Sequence, residues 1–178
     1  MSGLADMFSS KIMRRLYTIL LAMVVLCTSC IKDKERGADL NVGDIIPDFT
    51  VTMNDGSVVS AVELRSGVSC IMFFTTLCSD CRETLPHMQR LYDEYVSQGV
   101  AFALISRAET DDTVASHWAS EGLTMPYSAQ KDRGIYELFA SSRIPRVYIS
   151  KDGVIRAIFT DIPENPTYEE MKSVIEEL

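Results

Sequence analysis

The sequence predicts an α/β domain, a central mixed β-sheet with helices on both faces and an N-terminal β-hairpin extension. Three observations carry this. Apolar runs of strand length alternate with segments whose apolar residues recur every three or four positions. An Asn54-Asp55-Gly56 turn joins two strand-like segments ahead of them. The chain then closes on a second hairpin followed by a capped helix.

Taken in order, Phe49 to Met53 and Ser57 to Val59 form the opening hairpin, because the Asp55-Gly56 step supplies the positive φ of a tight turn. Cys70 to Phe74 is continuously apolar, as expected of a strand buried on both faces. Leu85, Met88, Leu91, Tyr92, Tyr95 and Val96 then fall at helical spacing, predicting a helix from Ser79 to Gln98, closed by Gly99 and kinked at Pro86. Val100 to Ile105 reads as a second buried strand. Asp111 to Glu121 and Asp132 to Ala140 read as helices, the first with acids at its start, where the helix dipole favours them. Arg146 to Ser150 and Val154 to Thr160 are strands joined across Lys151-Asp152-Gly153. A capping box, Thr167 to Glu170, opens the last helix, whose apolar side holds Tyr168, Met171, Val174, Ile175 and Leu178. Phe73, Phe74, Phe102, Tyr148 and Phe159 read as core, and His117 and Trp118, on a presumed surface helix, as residues that pack or solvate rather than catalyse.

The chain has 178 residues, 47% of them hydrophobic, which suits one domain of ordinary size and excludes a disordered tail or a disulfide-stapled miniprotein. Lys and Arg total 17 against 25 Asp and Glu, a net charge of -8 with no basic run. Nucleic acid is excluded as a partner on that footing, since a phosphate backbone requires a basic footprint.

The start of the chain reads as an address. Leu16 to Leu26 is an apolar run broken only by Thr18 and preceded by Lys11, Arg14 and Arg15. It is too short to cross a bilayer, which needs about 20 apolar residues, and has the charge pattern of a secretory signal. Met13 is an alternative start that gives a more typical signal length. Cys27-Thr28-Ser29-Cys30 resembles a bacterial lipobox, with Cys27 where Leu is usual; it implies cleavage before Cys30 and lipidation of that residue. Ordinary signal cleavage and an uncleaved anchor are the alternatives. Residues 1–29 are then a lipoprotein signal peptide, 30–39 a charged tether and 40–178 the domain. The segment from Ile31 to Glu35 also resembles the charged stretch behind the lipid cysteine of surface lipoproteins of Bacteroidetes. Cleavage would remove Lys11, Arg14, Arg15 and Asp6, leaving 14 basic and 24 acidic residues. In an oxidising compartment, two neighbouring cysteines invite pairing as a staple or a redox couple.

Cys78-Ser79-Asp80-Cys81 stands where the apolar strand ends and the long helix starts. That spacing puts both sulfurs within disulfide reach, and the position aims unpaired N–H groups and the helix dipole at Cys78. Cys78 is the attacking thiolate by position. The chain here resembles the thioredoxin-fold thiol-disulfide oxidoreductases of the TlpA and ResA type, many of them envelope lipoproteins. Gly43 to Phe49 resembles their opening G-x-x-x-P-x-F, Cys78 to Arg82 with Leu85-Pro86 their active-site helix, and Ile144-Pro145 before a strand and Asp152-Gly153 their cis-proline segment. The resemblance spans about Asn41 to Leu178. It implies a thioredoxin-like fold, Cys78 and Cys81 as a redox-active disulfide, and Ile144 and Pro145 as substrate contacts. It further implies a disulfide-containing protein substrate, a membrane electron donor of the DsbD/CcdA type, and no bound cofactor.

Two features depart from the family: Leu77 replaces the frequent Trp, and Ser79-Asp80 replaces a proline-containing pair. Met72 stands where cytosolic thioredoxins bury an acid, so no proton acceptor for Cys81 is identified. Asp80 opposes a neighbouring thiolate by like-charge repulsion, which Arg82, Arg143 and Arg146 can offset. Other readings remain beside this one. Thr75 and Cys78 have the T-x-x-C spacing of peroxiredoxins, although Ile71 occupies the usual proline position. The fold can serve as a non-catalytic binding module. A zinc site would have to draw on Cys70, His87 and His117, none at finger or ribbon spacing, and no metal is expected. Cys70 reads as buried and passive.

Overall fold

The computed structural model describes residues 39–178, so the signal, the tether to residue 38 and Cys30 lie outside the described residues. Thr50–Thr52 (β1) and Val58–Ser60 (β2) form the antiparallel hairpin expected around Gly56, whose φ is +85°. Val68–Phe74 (β3) is the centre of a five-stranded sheet with Ala101–Ser106 (β4), Tyr127–Ser128 (β5), Arg146–Lys151 (β6) and Val154–Phe159 (β7), in the order β5-β4-β3-β6-β7. The β3–β4 and β4–β5 pairs are parallel; β3–β6 and β6–β7 are antiparallel. The β6–β7 turn places Asp152 and Gly153 at φ 51° and 79°, the two positive values a tight hairpin demands.

Side chains of β3 alternate between two cores. Cys70, Met72 and Phe74 face one, with Val147 and Ile149 of β6; Ile71 and Phe73 face the other, with Tyr148. Ser79–Tyr95 (α2), Asp111–Glu121 (α3) and Tyr168–Glu176 (α5) cover the first core. The second lies beneath the hairpin, Ala61–Leu64 (α1) and Gly134–Glu137 (α4), where Phe73 meets Tyr148 edge to face and Phe139 packs tilted against both.

Several expectations are corrected at their edges. The long helix is α-helical through Pro86 only to Tyr95, then tightens to a 3₁₀ turn, Val96–Gln98, before Gly99 at φ 91°. Asp132 to Ala140 is helical only over α4, since Asp132 spends its carboxylate on the Gly134 N–H at 2.7 Å and turns the chain. Two elements were missed: α1, capped by a Ser60–Glu63 box, and the two-residue β5. Of the two roles expected for Trp118 it takes the packing one, buried against Phe74 and donating to the Met125 carbonyl at 2.8 Å. Leu178 lies beyond α5 and is partly exposed.

Candidate active site

The site forms where β3, buried from Ser69 onward, runs out at Phe74 and α2 begins. Cys78 is the N-cap of α2, with extended backbone (φ -86°, ψ 121°), and its sulfur accepts the Cys81 N–H at 3.4 Å. A sulfur thus takes the place of the usual capping oxygen, and an amide that would otherwise lack a partner points at it. Cys78 is half-buried, Cys81 fully buried, and both are free thiols. Burial raises the Cys81 thiol far above its ordinary range; a backbone contact with Thr75 works against this, while the Cys78 sulfur and Asp80 carboxylate add to it. The arrangement keeps Cys81 protonated while Cys78 faces solvent. That order suits an attacking and a resolving thiol.

The opposite wall is the loop before β6. The Ile144–Pro145 peptide is cis, and the Ile144 carbonyl accepts the Cys78 thiol at 3.6 Å. Three contacts fix this loop. Tyr136 Oη donates to the Arg143 carbonyl at 2.7 Å, Arg143 sits at φ 71° and reaches Asp161 at 3.3 Å, and the buried Arg146 pairs with Asp39 at 2.7 Å. The structure therefore brings Cys78, Cys81, Ile144 and Pro145 together. It directs Arg143 and Arg146 to carboxylates of their own, Asp161 and Asp39, rather than to Asp80.

Two residues at the site escaped the sequence reading. Asn165, in the loop before α5, donates to Asp80 at 3.2 Å and to Glu83 at 2.9 Å, tying the acid between the cysteines to the far end of the chain. Glu109, buried beyond β4, binds the Thr76 amide and hydroxyl. No local signal marks Asn165, and Glu109 is lost among the acids that open α3. Leu77, next to Cys78 in the chain, is 87% exposed, so an apolar side chain stands in solvent beside the half-buried sulfur. Among the described residues, no three His, Cys, Asp or Glu side chains gather as metal ligands.

The sequence pattern of the AhpC/TSA family matches residues 42–158. The thiol-disulfide oxidoreductase ResA of Bacillus thuringiensis is 28% identical over 124 residues, covering 69% of this chain and 70% of the relative. ResA of Oceanobacillus iheyensis is 29% identical over 140 residues, covering 76% and 72%. Among solved structures, the thioredoxin domain of a thiol-disulfide oxidoreductase from Bacteroides vulgatus superposes with a TM-score of 0.65 at 18% identity, covering 77% of this chain and 99% of that one. A thiol:disulfide interchange protein of the thioredoxin family from Chlorobium tepidum gives 0.65 at 20% identity, covering 79% and 98%. The fold is thioredoxin-like, with the five-stranded sheet as its core and the β1–β2 hairpin added ahead of it.

Proposed function

The chain belongs to the AhpC/TSA family, and from that membership and its cysteine geometry we propose a thiol-disulfide oxidoreductase that reduces protein disulfides through Cys78 and Cys81. The carrying observation is the Cys78 sulfur, half-buried at a helix N-cap, with the Cys81 amide on one side and the Ile144 carbonyl on the other. Cys78 thiolate attacks one sulfur of a substrate disulfide. A Cys78–substrate disulfide forms, and the first substrate sulfur leaves and takes a proton. Cys81 gives up its proton and attacks the Cys78 sulfur, releasing the second substrate thiol. The substrate gains two electrons and two protons, and the protein is left with a Cys78–Cys81 disulfide. Ile144 and Pro145 form the surface along which the substrate chain lies, beside the exposed Leu77.

The relatives named as thiol-disulfide oxidoreductases support this activity. The apolar run Leu16 to Leu26 ahead of Cys30 supports a place at the cell envelope, with the domain lipid-anchored to a membrane through Cys30. An exported reductase needs its electrons brought across that membrane, so a donor of the DsbD/CcdA type would reduce the pair after each turnover. The test is insulin reduction with dithiothreitol by the wild type and Cys78→Ser. The variant is expected to lose all catalysed turnover, and undiminished activity would sink the assignment. For the anchor, Cys30→Ala is expected to be released in soluble form after export; continued membrane association would refute lipidation there.

A further inference from the structure

The segment leading from β3 to Cys78 is gripped by an acid that the exchange chemistry does not use. Glu109 is 8% exposed and lies between β4 and α3. Both its carboxylate oxygens accept the Thr76 N–H at 3.0 Å, and Oε1 also accepts the Thr76 hydroxyl at 2.6 Å. The loop that presents it is itself tied down. Arg107 N–H donates to the Phe74 carbonyl at 2.8 Å, Ala108 N–H to Asp132 at 3.1 Å from a left-handed φ of 62°, and Glu109 N–H to Gln130 at 2.8 Å.

Thr76 is buried and stands two residues before Cys78. Its neighbour Thr75 holds the other end of the segment, its carbonyl accepting the Cys78 N–H at 3.3 Å. The same Thr75 backbone contacts the Cys81 thiol. Both cysteines are therefore contacted by the Thr75 backbone, and Glu109 fixes its neighbour Thr76. Among the described residues no cation pairs with Glu109. A buried carboxylate without a counter-ion is costly, and a neutral glutamine would fill the same space and still accept one bond from Thr76. Packing alone does not call for the charge.

We propose that Glu109 is a positioning residue of the exchange reaction, its carboxylate fixing the Thr75–Leu77 segment and its negative charge opposing the Cys78 thiolate, so that the pair is held as a stronger reductant. This rests on the redox reading of Cys78 and Cys81. Removing a negative charge near a thiolate favours the reduced form, and a stabilised reduced form makes a disulfide more oxidising.

The test is equilibrium titration of the purified full-length protein, its Glu109→Gln and Thr76→Val variants and the double variant against a glutathione series, with thermal melting of the reduced forms alongside. Glu109→Gln is expected to shift the equilibrium constant about tenfold towards the dithiol, about 30 mV for a two-electron couple, with melting unchanged or raised. Thr76→Val, which strips the hydroxyl donor from the carboxylate and leaves its charge, is expected to give a smaller shift the other way, towards the disulfide, and to change nothing when added to Glu109→Gln in the double variant. A constant for Glu109→Gln within twofold of wild type overturns the proposal, as does a lowered melting point with no redox shift, the mark of a structural prop. If Glu109→Gln does not fold, Thr76→Val alone decides, and the absence of any shift overturns the proposal. A wild-type pair that does not cycle overturns the redox reading and this inference together.

Discussion

Cys70 and Cys78 lie near opposite ends of one stretch of chain, and their surroundings make them different chemicals. Cys70 is fully enclosed in β3, its thiol turned to the Met88 sulfur at 3.7 Å, and burial pushes its pKa up to about 12. Eight residues on, the strand has ended and a helix begins, and Cys78 meets an amide N–H, a carbonyl and solvent. The same side chain is a small hydrophobe in one place and, in the proposed reaction, the nucleophile in the other. Cys81 stands between them, buried like Cys70 but within reach of Cys78. It can react only with a partner brought to it.

The largest effect expected from this contrast is at Cys81. Cys81→Ser leaves the first attack intact and removes the resolving thiol, so a Cys78–substrate mixed disulfide should accumulate, visible on non-reducing gels and by intact mass. A binding module would keep its partner without any covalent adduct. Next comes alkylation of the reduced protein at pH 7, where iodoacetamide should label Cys78 rapidly and leave Cys70 and Cys81 unmodified, as peptide mapping would show. Equal labelling of all three would erase the distinction. Cys70→Ser is expected to cost about 1 to 3 kcal/mol of stability by enclosing a hydroxyl among apolar groups, read by denaturant melts, while leaving reductase turnover unchanged.

A smaller effect belongs to the support behind Pro145. Burial alone would raise the Asp39 carboxyl, but the Ser141 N–H, the Arg146 guanidinium and the Ser141 hydroxyl outweigh it and hold it below the usual range. A carboxyl depressed on folding contributes stability above its unfolded pKa, about 3.9, and loses it as the pH falls from there through the folded value. Asp39→Asn should therefore lower the melting point at pH 7 and narrow its gap to wild type by pH 3. The difference should be about 1 kcal/mol or less, because Asp39 is 34% exposed.

What was legible in the sequence had strong local physics. The apolar run of β3, the Asp-Gly turns and the Cys78-to-Cys81 spacing at a strand-to-helix junction each have a local cause, and together they gave the fold class and the site's centre. Elements of two to four residues, such as β5 and α1, are too short for any period to show. Asp132 to Ala140 was overread because Asp132 serves a turn instead of a helix. Whether Trp118 packs or faces solvent was not legible, because the rings it meets, Phe74 and Tyr127, are brought together only by the sheet. Glu109 and Asn165 were invisible for the same reason: their partners are 33 residues away for Glu109, and 85 and 82 for Asn165.

The central claim is that Cys78 and Cys81 form a reducing couple. Its most direct test is the reduction potential of the purified protein, titrated against dithiothreitol and glutathione with thiol content read by mass. The expected result is a single reversible two-electron transition nearer thioredoxin's, about -270 mV, than the strong oxidant DsbA's, about -120 mV. A potential at the oxidising end would reverse the direction of electron flow, and a pair that does not cycle reversibly would contradict the catalytic reading outright.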